Sequence, residues 1–107
     1  ALMAGVIVGG WDPIDGGSVY VLPLGGTLMK LPFAIGGSGS TYIYGHVDSE
    51  YKPGMSREEC QQFVRKAISH AMARDGSSGG IIRLVTVDAN GTDREYIPGD
   101  KLPYMPV

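Results

Sequence analysis

The sequence predicts an α/β fold in which helices cover sheet instead of alternating with it, in the order β-β-β-α-α-β-β. Three observations carry this reading. The first 33 residues are short apolar or β-branched runs separated by Gly, Pro and Asp turns, the economy of an antiparallel meander. Residues 56–75 then hold the strongest helical periodicity in the chain. Finally, Ile81 to Ile97 is strand-like on both sides of Asn90-Gly91, a two-residue hairpin signal.

Leu2 to Trp11 is a continuous apolar run containing Val6, Ile7 and Val8, which suits a strand covered on both faces. Asp12-Pro13-Ile14-Asp15-Gly16-Gly17 has turn residues. Ser18 to Leu22 is a second strand, stopped by Pro23 and Gly25-Gly26. Thr27 to Phe33 is a third, and Pro32 marks it as an edge or a strand end. From Ser40 to about Tyr51 the period becomes helical: Ile43 and Val47 share a face, and Gly45 would admit a close backbone. Lys52-Pro53-Gly54 breaks that segment. Ser56 and Glu59 then form a capping box. Behind it Cys60, Phe63, Val64, Ala67, Ile68, Ala71 and Met72 make one buried stripe. Arg57, Glu58, Gln61, Gln62, Arg65 and Lys66 take the other side. Asp75 closes the last turn, and Gly76 suits the left-handed residue that ends a helix. Ile81 to Asp88 and Thr92 to Ile97 form the hairpin, with Arg94 and Glu95 partly exposed. Pro98, Pro103 and Pro106 punctuate a tail over 98–107.

At 107 residues the chain is one domain at most. With 43% hydrophobic and 19% charged residues it is globular, neither disordered nor membrane-spanning. Its formal charge of −2 argues against nucleic acid or an anionic membrane as partner. Cys60 is alone, so no internal disulfide forms and a reducing compartment is expected. The apolar start is too short to span a bilayer and lacks the basic residues of a secretory signal. A strand that needs neighbours on both sides rarely opens a domain, so the chain reads as the second half of something longer.

Chemistry concentrates in two corners, Gly36-Gly37-Ser38-Gly39-Ser40 and Asp75-Gly76-Ser77-Ser78-Gly79-Gly80. Both are expected to meet in space and form part of one active site. The plain alternative for the second is a helix stop followed by a flexible connection. Asp75 and Ser78 are three apart, so one tight turn places an acid and a hydroxyl on the same side. The first corner offers amides to an anion, yet it lacks the Lys of a phosphate loop. Its plain alternative is a helix start capped by Ser38 or Ser40. A trypsin-like serine would follow an Asp directly; here Ser77 intervenes. His46 and His70 are the only candidate bases, and His70 sits next to Ser69 on the side expected to face solvent. Two His and one Cys have no metal-ligand spacing.

Together these segments resemble the β-type subunits of the 20S proteasome, members of the N-terminal-nucleophile hydrolases. The resemblance rests on Gly9-Gly10-Trp11-Asp12, on Lys30-Leu31-Pro32-Phe33-Ala34-Ile35 running into the first corner, on Tyr42-Ile43-Tyr44-Gly45, on Met55-Ser56-Arg57-Glu58-Glu59, and on the second corner, all in the family's order. It covers nearly the whole chain. The Gly-Ser-Ser-Gly-Gly form and the Trp11-Asp12 turn are most similar to the post-acidic, caspase-like catalytic type.

That resemblance implies a four-layer αββα sandwich of which residues 1–107 supply one partial domain, the C-terminal half. It implies a threonine-type endopeptidase that degrades unfolded polypeptide, ubiquitin-dependent proteolysis included, by attack of an N-terminal Thr. In the family the residues matching Ser38, Asp75 and Ser78 surround that Thr's amine. No cofactor is required, although Mg²⁺ or another cation held by the backbone carbonyls of Met72, Asp75 and Ser78 is implied for some members. Implied partners are the N-terminal half of the same subunit and other α and β subunits in stacked heptameric rings, in cytoplasm and nucleus. The family's nucleophilic Thr, its supporting Asp and Lys, the oxyanion-hole glycine and the basic pocket residue precede the matched region. Ala1 cannot replace the nucleophile, and Gly26-Thr27 and Gly91-Thr92 fit turns better than processing junctions. The 107 residues alone are therefore expected to hydrolyse nothing. The competing reading is a noncatalytic structural subunit or degenerate paralogue.

Overall fold

The computed structural model describes residues 3–104. The elements are β1 (Val6–Asp12), β2 (Gly16–Leu22), β3 (Met29–Leu31), a 3₁₀ turn (Ser38–Tyr42), α1 (Tyr44–Glu50), α2 (Arg57–Arg74), β4 (Ile82–Asp88) and β5 (Gly91–Ile97). The α-and-β class and the strand–helix order are those expected. The chain divides into two units. One holds the residues up to Gly37 with Thr86–Asp93; the other holds Ser38–Val85 with the residues from Arg94 on.

In the first unit β1, β2 and β3 form one antiparallel sheet. The register runs from Val6↔Leu22 to Asp12↔Gly16, and Val19 faces Leu31. The β1–β2 turn closes because Asp12 Oδ1 accepts the N–H groups of Ile14 and Asp15, both at 2.8 Å. The expected start of β1 at Leu2 lies outside the described residues. β3 is shorter than expected, since Pro32 has no N–H to extend the ladder. The expected cover on both faces of β1 is not found: every residue of the strand is exposed, with Val6, Ile7 and Val8 at 45, 45 and 47%. An apolar run shows that a strand is built to be covered; it does not supply the cover.

In the second unit α2 starts as expected. Glu59 N–H donates to Ser56 Oγ and Ser56 N–H to Glu59 Oε1, each at 3.1 Å. The buried stripe is rotated from the expected one. Ala67 and Ala71 are buried, but Cys60 is exposed and Ile68 is 38% exposed. Ser69, expected beside a solvated His70, is fully buried and satisfies its hydroxyl by donating to the Arg65 carbonyl at 2.7 Å. The reason is α1. His46 on that helix lies 4.5 Å from His70, ring centre to ring centre, so α1 covers the side that polarity assigned to water. His70 also stacks on Tyr104 at 3.9 Å.

The helix expected from Ser40 to Tyr51 is instead a 3₁₀ turn followed by seven-residue α1, with Ile43 as N-cap and no side-chain cap. Neither Ser38 nor Ser40 caps it. Gly45 admits no close neighbour. The core gathers Ile82, Leu84 and Ile97, with Val64, Met72 and Leu102 packed on it. The hairpin turn also differs from expectation. The loop is Ala89-Asn90, where no residue has positive φ, and Gly91 at φ +114 opens β5. Asn90 N–H donates to Asp88 Oδ1 at 2.9 Å. This is the pattern of an ordinary turn followed by a glycine bulge rather than a mirror-image turn. In the expected tail, Lys101 N–H closes a turn on the Pro98 carbonyl at 3.0 Å; residues 105–107 lie outside those described.

Candidate active site

The second corner is built on the end of α2. Asp75 is the C-cap, with φ −89 and ψ 116, and its N–H donates to the Ala71 carbonyl at 2.8 Å. Gly76 does not take the expected left-handed conformation. The chain turns on Asp75 instead: Oδ1 accepts Ser77 N–H and the Asp75 carbonyl accepts Ser78 N–H, both at 3.1 Å. A carboxylate that accepts an N–H two residues on mimics a backbone turn, so no left-handed residue is needed until Gly80, at φ +89.

The first corner delivers Ser38 to the same acid. Ser38 Oγ donates to Asp75 Oδ2 at 2.6 Å and Ser78 Oγ donates to the same oxygen at 2.5 Å. Structure thus brings together Ser38, Asp75 and Ser78. Asp75 is buried at 8% exposure, Ser78 is half-buried and Ser38 is exposed. The Ser38 hydroxyl, then the Ser78 hydroxyl and the Ser77 N–H, hold the Asp75 carboxyl below its ordinary 3.8; burial pushes the other way and loses. The acid is therefore a fixed negative charge at neutral pH.

The consequence is directional. Each hydroxyl has one proton, and both protons point at Asp75. Their lone pairs are left facing away from the carboxylate, as acceptors. An acid flanked by two oriented acceptors suits an ammonium or amine. It does not suit phosphate, because a carboxylate beside Ser38 would repel the anion, which disfavours the phosphate-loop alternative for this corner. His46 and His70 take no part in these hydrogen bonds and pack on each other instead, with both Nε2 atoms buried and unpartnered. Among the described residues no cluster of three or more His, Cys, Asp and Glu could hold a metal. Backbone oxygens remain possible donors. The Met72 carbonyl lies in the last turn of α2, where carbonyls have no partner within the helix. The Asp75 carbonyl uses one lone pair on Ser78 N–H. Such a donor set is all oxygen and fits a hard cation.

Two participants were not legible in sequence. Ser77 contributes its N–H rather than its hydroxyl. Gly39 is buried where a Cβ would lie 3.0 Å from Ser78 Oγ and 3.3 Å from Asp75 Oδ2, so it is a contact residue of the cluster. The signal available was the Gly-Ser-Gly-Ser alternation, which reads equally well as a plain loop.

A family model described as "Proteasome subunit" matches residues 1–87. "Proteasome subunit beta type-6" of Dictyostelium discoideum is 61% identical over 102 residues, which is 95% of this chain and 48% of that protein. "Proteasome subunit beta type-6" of Arabidopsis thaliana is 54% identical over 101 residues, 94% of this chain and 43% of that protein. "Proteasome subunit beta type-9" of Homo sapiens is 60% identical over 102 residues, covering 95% and 46%. The chain spans a little under half the length of the curated relatives it matches.

Proposed function

The chain belongs to the proteasome subunit family, with β-type relatives, and we propose that it is part of a threonine-type endopeptidase of the 20S core. Its Ser38, Asp75 and Ser78 would hold the free amine of an N-terminal threonine contributed from outside these 107 residues. The observation that carries this reading is the pair of hydroxyls donating to one carboxylate oxygen at 2.6 and 2.5 Å. With their protons committed, both oxygens accept N–H bonds and orient the amine, while Asp75 raises its proton affinity. An amine held this way takes the proton from the threonine hydroxyl as Oγ attacks the peptide carbonyl, then returns it to the leaving amine. Water reverses the sequence and frees the acyl group. The substrate is unfolded polypeptide. The post-acidic preference rests on residue likeness alone, the Gly76-Ser77-Ser78-Gly79-Gly80 run and the Trp11-Asp12 turn. The partners are the rest of the same subunit and other α and β subunits in stacked heptameric rings, in cytoplasm and nucleus. Carbonyls of Met72, Asp75 and Ser78 would hold a structural cation such as Mg²⁺.

The test is substitution of Ser38→Ala or Ser78→Ala in particles assembled with the full-length subunit. Hydrolysis of a fluorogenic peptide with an acidic residue before the scissile bond should fall about tenfold or more. Peptides with a basic or apolar residue there should be cleaved at the wild-type rate. Unchanged cleavage of all three would favour a noncatalytic subunit, and loss on a different peptide would overturn the assigned preference.

A further inference from the structure

Gly37 and Gly39 lie two residues apart and are required for different reasons. Gly37 has φ +88 and open space where a Cβ would go, so backbone conformation selects it. Gly39 has no such φ; space selects it. A Cβ there would stand 3.0 Å from Ser78 Oγ, 3.2 Å from Ala71 Cβ and 3.3 Å from Asp75 Oδ2. Those neighbours are one hydroxyl of the pair, the last buried turn of α2 and the acid itself. We infer that Gly39 is a positioning residue of the proposed peptidase site: its bare Cα lets the 3₁₀ turn seat directly on the Asp75–Ser78 corner, and that seating puts both hydroxyls on one carboxylate oxygen. The inference rests on the reading that this cluster orients a catalytic amine.

The three neighbours cannot yield equally. Ala71 Cβ is fixed to the helix backbone and has no torsion to turn. Ser78 Oγ can swing to another rotamer, but doing so breaks its 2.5 Å bond to Asp75. Lifting the 3₁₀ turn outward instead stretches the 2.6 Å bond from Ser38. Each escape from one added methyl therefore separates the two hydroxyls. Because Gly39 has an ordinary φ, alanine imposes no backbone strain, and the substitution is a clean steric probe.

The experiment is a double-mutant cycle in particles assembled with the full-length subunit, read on the fluorogenic peptide that the subunit cleaves. Gly39→Ala should lower kcat by about tenfold or more with KM within about twofold, as expected for misplacement of a reacting group by a few tenths of an ångström. In a Ser78→Ala background one hydroxyl of the pair is already lost, so Gly39→Ala, which acts by separating that pair, should cost less than about threefold. Wild-type kcat in Gly39→Ala, a change confined to KM, or equal costs in both backgrounds would overturn the inference. If Gly39→Ala subunits fail to assemble, assembly of the Gly39→Ala/Ser78→Ala pair supports the contact, and failure of both overturns it. The two readings separate cleanly. Ser78→Ala at wild-type rate defeats the proposed function itself, whereas a slow Ser78→Ala beside a fast Gly39→Ala defeats only the role of Gly39.

Discussion

Replacing Asp75 by asparagine tests the cluster at its centre with almost no change in volume. The carboxylate presents one oxygen to two hydroxyl donors and the other to Ser77 N–H. An amide has one oxygen. If that oxygen faces the hydroxyls, the NH₂ faces Ser77 N–H, donor against donor, and the corner's turn bond is lost. If the NH₂ faces the hydroxyls, both must rotate to accept it, which spends the lone pairs meant for an amine. Either arrangement also removes the negative charge. Positioned proton transfer contributes about 10²–10⁴-fold to hydrolysis, and Asp75 organises both acceptors, so Asp75→Asn should lower kcat by about 10²-fold. The assay is steady-state cleavage, by assembled particles, of the fluorogenic peptide that the subunit cleaves, over roughly pH 5–9. A signature beyond the lowered plateau follows from charge. The amine must be neutral to take a proton, and a nearby carboxylate raises its pKa. Loss of that charge should move the acidic limb of the pH–kcat profile to lower pH. A wild-type plateau, or a limb that moves to higher pH, would refute the reasoning. Stability also declines on the acid side, at lower pH. Since the Asp75 carboxyl titrates below its ordinary 3.8 when folded, its stabilisation is complete above that value and lost as pH falls through the folded pKa.

Other expectations concern the scaffold. Burial, then repulsion from His46, Lys66 and Arg74, holds the His70 imidazole below its ordinary 6.5. The folded state therefore binds fewer protons than the unfolded one below that pH, and thermal stability of the full-length subunit should fall as pH drops through 6.5. His70→Leu should flatten that slope, and an unchanged slope would show that another group sets it. Ser56→Ala removes the hydroxyl that caps α2 and should cost about 1 kcal/mol by urea denaturation of the full-length subunit, whereas Ser56→Asp should cost much less.

What was legible in the sequence, and what was not, divides along a physical line. Local periodicity and capping depend on neighbours in the chain, so α2, its Ser56–Glu59 box and the strand order could be read directly. Which face of α2 is buried depends on where α1 lies, and Ser69 and His70 show that a polar label is overridden once another helix covers it. The Asn90-Gly91 pair indicated a hairpin but not its turn, because asparagine tolerates both the mirror-image turn and the ordinary turn with a glycine bulge. At the site, resemblance identifies Ser38, Asp75 and Ser78, and the chain spacing independently points to Asp75 and Ser78. Their common oxygen was not deducible, since it depends on a contact across 37 residues that hinges on Gly39 having no side chain.

The position of Asp75 argues against reading the second corner as a simple helix stop. The C-terminal end of a helix carries partial negative charge, so an anion there is disfavoured, and a stop built for stability would place glycine or a cation at that point. α2 does have Arg74 in its last turn, yet the next residue is a buried carboxylate. That placement is tolerable only because Ser38 Oγ, Ser78 Oγ and Ser77 N–H converge on the carboxylate. Two of those three donors are side chains, and one arrives from the other corner. A chain that needed only to end its helix could have used Gly76, which lies directly after Asp75 and is not left-handed. The corner accepts an unfavourable charge at an unfavourable place and then recruits donors to hold it. The proposed amine site would require such an arrangement, a fixed negative charge with two outward-facing acceptors.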